Sequence, residues 1–189
     1  MIRDRRYYRK LLDRIVGDLE SERPRAVLLF GSAVRFLADR RATRLPRDLD
    51  LLVVGDQIPI TFESADYGYP TEIRRMRTHT VTEIARSLRY DSRPVALAKL
   101  YGNQMLQQRA DSVVAACILL GPEYRSFGIE QIEIGGHEDL RDYSRHRVLC
   151  GYRWWQQLVT YARERRGPLK RFSDRIAGRE MFEAKGIGY

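Results

Sequence analysis

The apolar positions in the first half of the chain predict one helix followed by a small sheet. Residues 5–21 repeat apolar side chains every three or four positions, which is typical of an amphipathic helix, and Pro24 follows it. Residues 26–30 and 48–54 contain short, almost wholly apolar runs of the kind found in buried strands. Residues 71–77 alternate in part. This pattern predicts a third strand.

The second half of the chain predicts mainly helices. Residues 113–120 are uniformly apolar and fit either a strand or a buried helix. Residues 57–71 contain two prolines and a glycine and predict irregular structure. Trp154 and Trp155 fall in the longest predicted helix, which could pack on a partner chain. The segments with apolar side chains at helical spacing are 80–90, 95–109 and 140–165.

Together these elements predict an α+β protein. We expect a small mixed β-sheet with flanking helices in residues 1–90, and a mainly helical extension in residues 91–189. The extension either completes the cleft of the first part or forms a separate domain. Residues 129–134 fit an edge segment, and the glycine-containing tail that ends at Tyr189 has little periodicity.

Composition and charge narrow the class of protein. A hydrophobic share of 43% with 31% charged residues excludes a collagen-like, disulfide-framework or largely disordered chain. No run of about 18 apolar residues occurs and no signal-peptide block is present, so we expect a cytoplasmic protein without a membrane partner. Cys117 and Cys150 lie in apolar runs and are predicted to be buried free thiols. The net charge of +9, concentrated in residues 1–50 and 137–189, would attract polyanions without specificity.

One group of residues predicts chemistry. Gly31-Ser32 ends the first apolar strand, where glycine allows a sharp turn and a close approach of the backbone to a ligand. Asp48 and Asp50 open the second strand, and side chains two residues apart in a strand point to the same face. Two neighbouring carboxylates repel each other unless a cation lies between them. Mg²⁺ suits such a pair, because it is often held by one or two carboxylates together with substrate phosphates.

In this order, these residues resemble the DNA polymerase beta-like nucleotidyltransferase superfamily, especially its minimal nucleotidyltransferase members. The family motif is an apolar strand, Gly-Ser, a spacer, and Asp-x-Asp running into a second apolar strand. Here it stands as residues 28–32 and 46–53, after an amphipathic helix that also matches. The resemblance covers roughly residues 5–90. The chain departs from the family at Arg47, where serine is common, and in the residues that follow Ser32.

The resemblance implies nucleotidyl transfer, in which an acceptor hydroxyl attacks the α-phosphorus of an NTP such as ATP. Asp48 and Asp50 would hold Mg²⁺ or Mn²⁺, and Gly31 and Ser32 would bind the triphosphate. Members usually carry a third carboxylate on a following strand, which would act as base or metal ligand. Glu72 is our prediction for it, with Glu63 and Glu83 as rivals. Arg35, or an arginine from 40–47, would neutralise the charge of the leaving group.

Several interpretations stay open at this point. The acceptor could be a small molecule, the 3′ end of an RNA or a protein side chain. The chain could instead be an inactive nucleotidyltransferase-like binding module, as a homo-oligomer or beside a partner subunit. A plain basic nucleic-acid-binding domain is the third reading. Arg74, Arg75 and Arg77 are expected on a solvated strand face, and the histidines share no metal-ligand spacing with the cysteines.

Overall fold

The first helix and first strand form where the apolar pattern predicts them. The computed structural model of the protein describes residues 4–58, 61–91, 93–101, 106–127, 129 and 143–164. Helix α1 spans Arg5–Leu19, and the carboxylate of Asp4 caps it by accepting a hydrogen bond of 2.8 Å from the backbone N–H of Tyr7. Strand β1 spans Ala26–Phe30 and is buried throughout.

Four further strands and six further helices complete the described part of the chain. Helix α2 (Ser32–Ala38) follows β1 directly. Strands β2 (Leu49–Gly55), β3 (Thr61–Asp66) and β4 (Pro70–Arg77) come next. The remaining elements, in chain order, are α3 (Thr78–Tyr90), α4 (Arg93–Tyr101), α5 (Leu106–Leu120), α6 (Tyr124–Phe127), β5 (His146–Cys150) and α7 (Tyr152–Arg163).

The strands form one mixed sheet in the order β3-β4-β2-β1-β5. β2 and β4 are parallel, whereas β1 pairs antiparallel with both β2 and β5, and β3 pairs antiparallel with β4. Helices flank this sheet, so the predicted α+β class is confirmed. Strand β5, from the C-terminal part of the chain, lies in the same sheet as β1 and β2.

The sheet has an apolar layer on each face because its central strands alternate between two cores. Leu49, Leu51 and Val53 pack with α1 and α2. Leu52 and Val54 point to the other face, where they pack with α3, α5 and α7. Asp50 lies between Leu49 and Leu51 in the sequence, and therefore belongs to the second face.

Three sequence predictions are wrong or are decided by the structure. Residues 57–71 are not wholly irregular, since they contain β3, which lacks an apolar stripe because it is largely exposed. Residues 113–120 form the buried second half of α5 rather than a strand. The helix predicted over 140–165 is instead β5, a turn at Gly151, and α7. Gly151 has φ +73°, and a Cβ there would collide with the carbonyl oxygen of Arg25.

The other predictions in the second half have mixed outcomes. The helix predicted over 95–109 is divided between α4 and α5, with 102–105 outside the described residues. Trp154 and Trp155 are buried in the core of this chain. Residues 130–142 and the tail from 165 onward also lie outside the described residues. No helix in the described part of the chain is long and apolar enough to cross a membrane.

Candidate active site

The turn after β1 brings Gly31 against Asp50. Gly31 has φ +76°, a conformation that side-chain-bearing residues rarely adopt, and it forms the N-cap of α2. A Cβ atom at this position would collide with Oδ2 of Asp50. The carboxylate of Asp50 therefore lies directly on the backbone of Gly31, and this contact explains why the chain has glycine at the end of β1.

The neighbouring strands place Asp50 beside Glu72. Asp50 pairs with Phe30 on β1 and with Glu72 on the parallel strand β4. Residues that pair across a sheet share a face, and neighbouring strands are about 4.8 Å apart. Asp50 is only 6% exposed, whereas the side chain of Glu72 is 30% exposed. Asp48 lies immediately before β2 and is half-buried.

The two rival carboxylates lie elsewhere. Glu63 on β3 pairs with Ile73, whose side chain belongs to the opposite face of the sheet. Its carboxylate accepts a hydrogen bond of 2.7 Å from Arg75. Glu83 lies on α3 and forms an ion pair of 3.5 Å with Arg86, three residues further along the same helix. Of the three candidates, only Glu72 pairs with Asp50.

Glu72 has a cationic neighbour, Arg74, whose burial the sequence pattern does not predict. The prediction of a solvated face is wrong for Arg74, which is 5% exposed because it points into the layer beneath α5. Its Nη1 donates a hydrogen bond of 2.8 Å to Oδ1 of Asp111, and its guanidinium lies over the ring of Phe62. Nη2 of Arg74 is 3.6 Å from Oε2 of Glu72. Arg74 thus adds a positive charge beside the third carboxylate. Arg77 is exposed, as predicted.

A histidine that sequence reasoning missed lies in the same cross-strand row. His146 on β5 pairs with Phe30, so the row runs His146, Phe30, Asp50, Glu72 across four strands. Trp155 donates a hydrogen bond of 2.9 Å from Nε1 to Nε2 of this histidine. Burial and the nearby charge of Arg163 lower the pKa of His146 to about 4, so the ring is neutral at pH 7. The sequence pattern does not place it in this row, because the helix predicted over 140–165 includes the residues of β5.

Ser32 and Arg35 border a cleft beside this row. Ser32 is the first residue of α2 and is half-buried, and Arg35 lies exposed one turn further on. Both line a cavity of about 380 Å³ between α2 and the loop 39–47. We call this cavity the arginine cleft, because its lining includes Arg35, Arg41, Arg44 and Arg47.

The carboxylates can be tested for their fit to a metal ion. Among the residues that the structure describes, no three His, Cys, Asp or Glu side chains are grouped closely enough to hold a metal by themselves. Asp48, Asp50 and Glu72 are therefore not a complete three-ligand site. Mg²⁺ needs only one or two carboxylates when substrate phosphates and waters supply its other ligands. Asp50, whose Oδ2 lies where a Cβ on Gly31 would be, and the half-buried Asp48 supply carboxylate oxygens of the kind that this smaller requirement needs.

Comparisons with known proteins find no relative of this chain. The chain matches no protein-family model, and neither a curated protein nor a solved structure shows significant similarity to it. The chemistry of the site must therefore be argued from its own side chains.

Proposed function

We propose that this chain is a metal-dependent nucleotidyltransferase, which moves an NMP from an NTP to a hydroxyl group of an acceptor. The observation that carries the proposal is the position of Asp50 between two other motif residues. Its carboxylate lies on Gly31 at the end of β1, and it pairs across the sheet with Glu72 on β4. The ordered motif that resembles the DNA polymerase beta-like superfamily supports the same reading.

In this proposal Asp48 and Asp50 hold Mg²⁺ or Mn²⁺ through their carboxylate oxygens. When bound, the metal would offset the negative charge of the phosphates. Because Gly31 has no side chain, Asp50 can remain against it near the start of β2. A larger residue at position 31 would push the carboxylate of Asp50 away. Ser32 is half-buried at the start of α2, so its hydroxyl can donate a hydrogen bond to a phosphate oxygen.

Glu72 is assigned the role of general base. The acceptor oxygen forms a bond to the α-phosphorus, the bond from that phosphorus to the bridging oxygen breaks, and pyrophosphate leaves with the bonding electrons. The proton of the acceptor hydroxyl passes to the carboxylate of Glu72, which is exposed enough to meet a substrate. Arg35, exposed at the rim of the arginine cleft, would neutralise the charge on the departing pyrophosphate.

Label transfer from an α-labelled NTP tests this proposal. The protein is incubated with each NTP, Mg²⁺ or Mn²⁺, and separate pools of RNA, protein and small metabolites. We expect the Asp50→Asn variant to lose at least about 100-fold in transfer, because it removes a negative charge that would hold the metal ion. Asp13→Asn, an exposed carboxylate on α1, is the matched control. Transfer that is unchanged in Asp50→Asn overturns the proposal.

A second candidate is a nucleotide-binding module without catalysis. The observation that favours it is the ion pair of 3.6 Å between Arg74 and Glu72, because a carboxylate already paired within the fold is not free to receive a substrate proton. This candidate predicts that the wild-type protein binds NTP and metal, and that Asp50→Asn abolishes the binding, while no acceptor pool becomes labelled. Equilibrium binding of an NTP beside the transfer assay separates the two functions.

A further inference from the structure

The arginine cleft contains positive charges that the fold itself does not neutralise. Arg41, Arg44 and Arg47 are exposed on the loop that forms its outer wall. Within the described residues, none of these three side chains forms an ion pair or hydrogen bond. Asp39 supplies a carboxylate to the lining, and its Oδ1 accepts a hydrogen bond of 2.9 Å from the backbone N–H of Arg41.

The loop that carries these arginines is held in place at both ends. The side chain of Arg5 on α1 donates hydrogen bonds of 3.0 Å to the carbonyl of Phe36, 2.7 Å to that of Asp39 and 2.9 Å to that of Ala42. At the other end, the hydroxyl of Tyr69 donates a hydrogen bond to the carbonyl of Pro46. The bonds to this loop are made to its backbone carbonyls and not to its guanidinium groups.

Such an arrangement favours a ligand with several phosphate groups. Like charges held near one another repel, and no described carboxylate forms an ion pair with the three loop arginines, although Asp39 lies in the same lining. Guanidinium groups match phosphate oxygens in charge and in bidentate geometry. Because the loop is fixed before binding, an anion that fills the cleft would pay little additional ordering entropy.

We infer that the arginine cleft binds the phosphate backbone of a single strand of nucleic acid, and that this strand is the acceptor of the transfer. The acceptor role rests on the proposed function, whereas the binding does not. The cleft includes Ser32, which directly follows Gly31, and Gly31 contacts Asp50, so the start of α2 links the cleft to the candidate active site. A cavity of about 380 Å³ is much smaller than a duplex.

The distribution of charge favours a strand over a small anion. The three loop arginines recur at every third residue, at positions 41, 44 and 47, so the cleft offers several cationic groups along one segment. The net charge of +9 also favours a polyanion over a single nucleotide, because long-range attraction grows with the charge of the ligand.

Salt-dependent binding tests the inference without NTP or metal. A fluorescent oligonucleotide of roughly ten nucleotides, as RNA and as DNA of the same sequence, is titrated with protein at several salt concentrations. The slope of log K against log salt is negative, and each lost phosphate contact makes it less steep by about 0.7 for a single strand. We therefore expect the triple variant Arg41→Gln/Arg44→Gln/Arg47→Gln to show a slope that is less steep by about 2.

A second triple variant separates this site from a general effect of charge. Arg9→Gln/Arg77→Gln/Arg153→Gln removes three exposed arginines from α1, β4 and α7, and gives the same change in net charge, from +9 to +6. The slope should stay within error of the wild type. Circular dichroism and urea unfolding confirm that both variants are folded.

Several results would overturn the inference. They are an absence of wild-type binding, an equal loss of slope in both triple variants, and complete displacement of the oligonucleotide by tripolyphosphate at stoichiometric concentration. The last result would assign the cleft to the nucleotide. If strands bind in the cleft but never receive label, the acceptor role is wrong and the binding site stands. Comparison of the RNA with the DNA oligonucleotide shows whether the ribose hydroxyl groups contribute to binding.

Discussion

Arginine has opposite surroundings in two regions of this protein, the interior layer under the helices and the arginine cleft. In the interior layer, Arg74 is paired with Asp111 at 2.8 Å. Arg89 is fully buried, donates a hydrogen bond of 3.1 Å to the carbonyl of Tyr161 and forms an ion pair of 3.1 Å with Glu164. In the cleft, three exposed arginines have no such partner among the described residues.

The difference follows from the cost of removing a charge from water. A buried guanidinium must recover its lost hydration through a carboxylate, backbone carbonyls and aromatic rings, so its partners are fixed by the fold. An exposed guanidinium keeps its hydration and can remain without a partner until a ligand arrives. The interior arginines should therefore control stability, and those of the cleft should control binding.

The largest effect should come from breaking the buried ion pair of an interior arginine. Asp111→Ala removes the partner of Arg74 at 2.8 Å and leaves it only Glu72 at 3.6 Å, and the side chains of Arg74 and Asp111 are at most 5% exposed. Breaking a buried pair by removing one partner typically costs about 3–5 kcal/mol, so we expect a loss of this size in the free energy of unfolding measured with urea. Asp13→Ala on the exposed face of α1 should change it by less than about 0.5 kcal/mol. A loss below about 1 kcal/mol for Asp111→Ala would contradict a stabilising role for the interior pair.

The interior layer should also give the protein an acid-sensitive stability through His146. Its pKa is lowered from 6.5 to about 4 in the folded state, first by burial and then by Arg163. Above pH 6.5 the ring is neutral in both states and this stability is fully present. As the pH falls from about 6.5 to about 4, the unfolded chain takes up the proton first, and stability is lost. Below about pH 4 the loss is complete.

The pH effect can be isolated with a substitution that keeps the hydrogen bond. In His146→Gln, the amide oxygen can still accept from Trp155, but the side chain does not titrate. The wild type should lose up to about 3 kcal/mol more than the variant between pH 7 and pH 4, as measured by urea unfolding at each pH. Equal losses in the two proteins would show that His146 does not carry the effect.

A glycine substitution tests the boundary between the two regions, where β1 meets the cleft. Gly31→Ala places a Cβ against Asp50 and keeps a left-handed backbone, which alone costs about 1–2 kcal/mol. Gly17→Ala on α1 has nothing within 4 Å of the added Cβ and should instead stabilise by about 0.4–1 kcal/mol. Thermal unfolding of each variant shows whether its stability falls or rises relative to the wild type. A neutral Gly31→Ala would show that the contact with Asp50 can relax.

The sequence predicts the central elements of this fold because their burial is uniform. Strands β1 and β2 are buried along their whole length, so their apolar runs are unambiguous. Strand β3 was missed because it is exposed on most of its residues and carries no periodic signal. Strand β5 was missed because its residues are mostly half-buried at the edge of the sheet, next to the apolar stripe of α7.

The candidate site shows the same division between local and long-range information. The places of Gly31, Asp50 and Glu72 on or beside strands were predictable because apolar runs and residue alternation are local properties of the sequence. The burial of Arg74 was not, because its partner Asp111 lies 37 residues away on α5. Residues 74–77 contain three arginines, and nothing local in the sequence distinguishes Arg74, which points inward, from the exposed Arg77.

The smallest expected effect, and the sharpest comparison, comes from the same substitution made once in each region. Arg44→Gln removes an exposed charge without a partner among the described residues, and should change the free energy of unfolding by less than about 0.5 kcal/mol. Any change should be towards greater stability, because the repulsion with Arg41 and Arg47 is relieved. Arg74→Gln removes the charge that pairs with the buried Asp111 and should destabilise by several times as much. If urea unfolding instead shows that Arg44→Gln costs as much as Arg74→Gln, the cleft arginines hold the fold together, and they are then not available to bind phosphates.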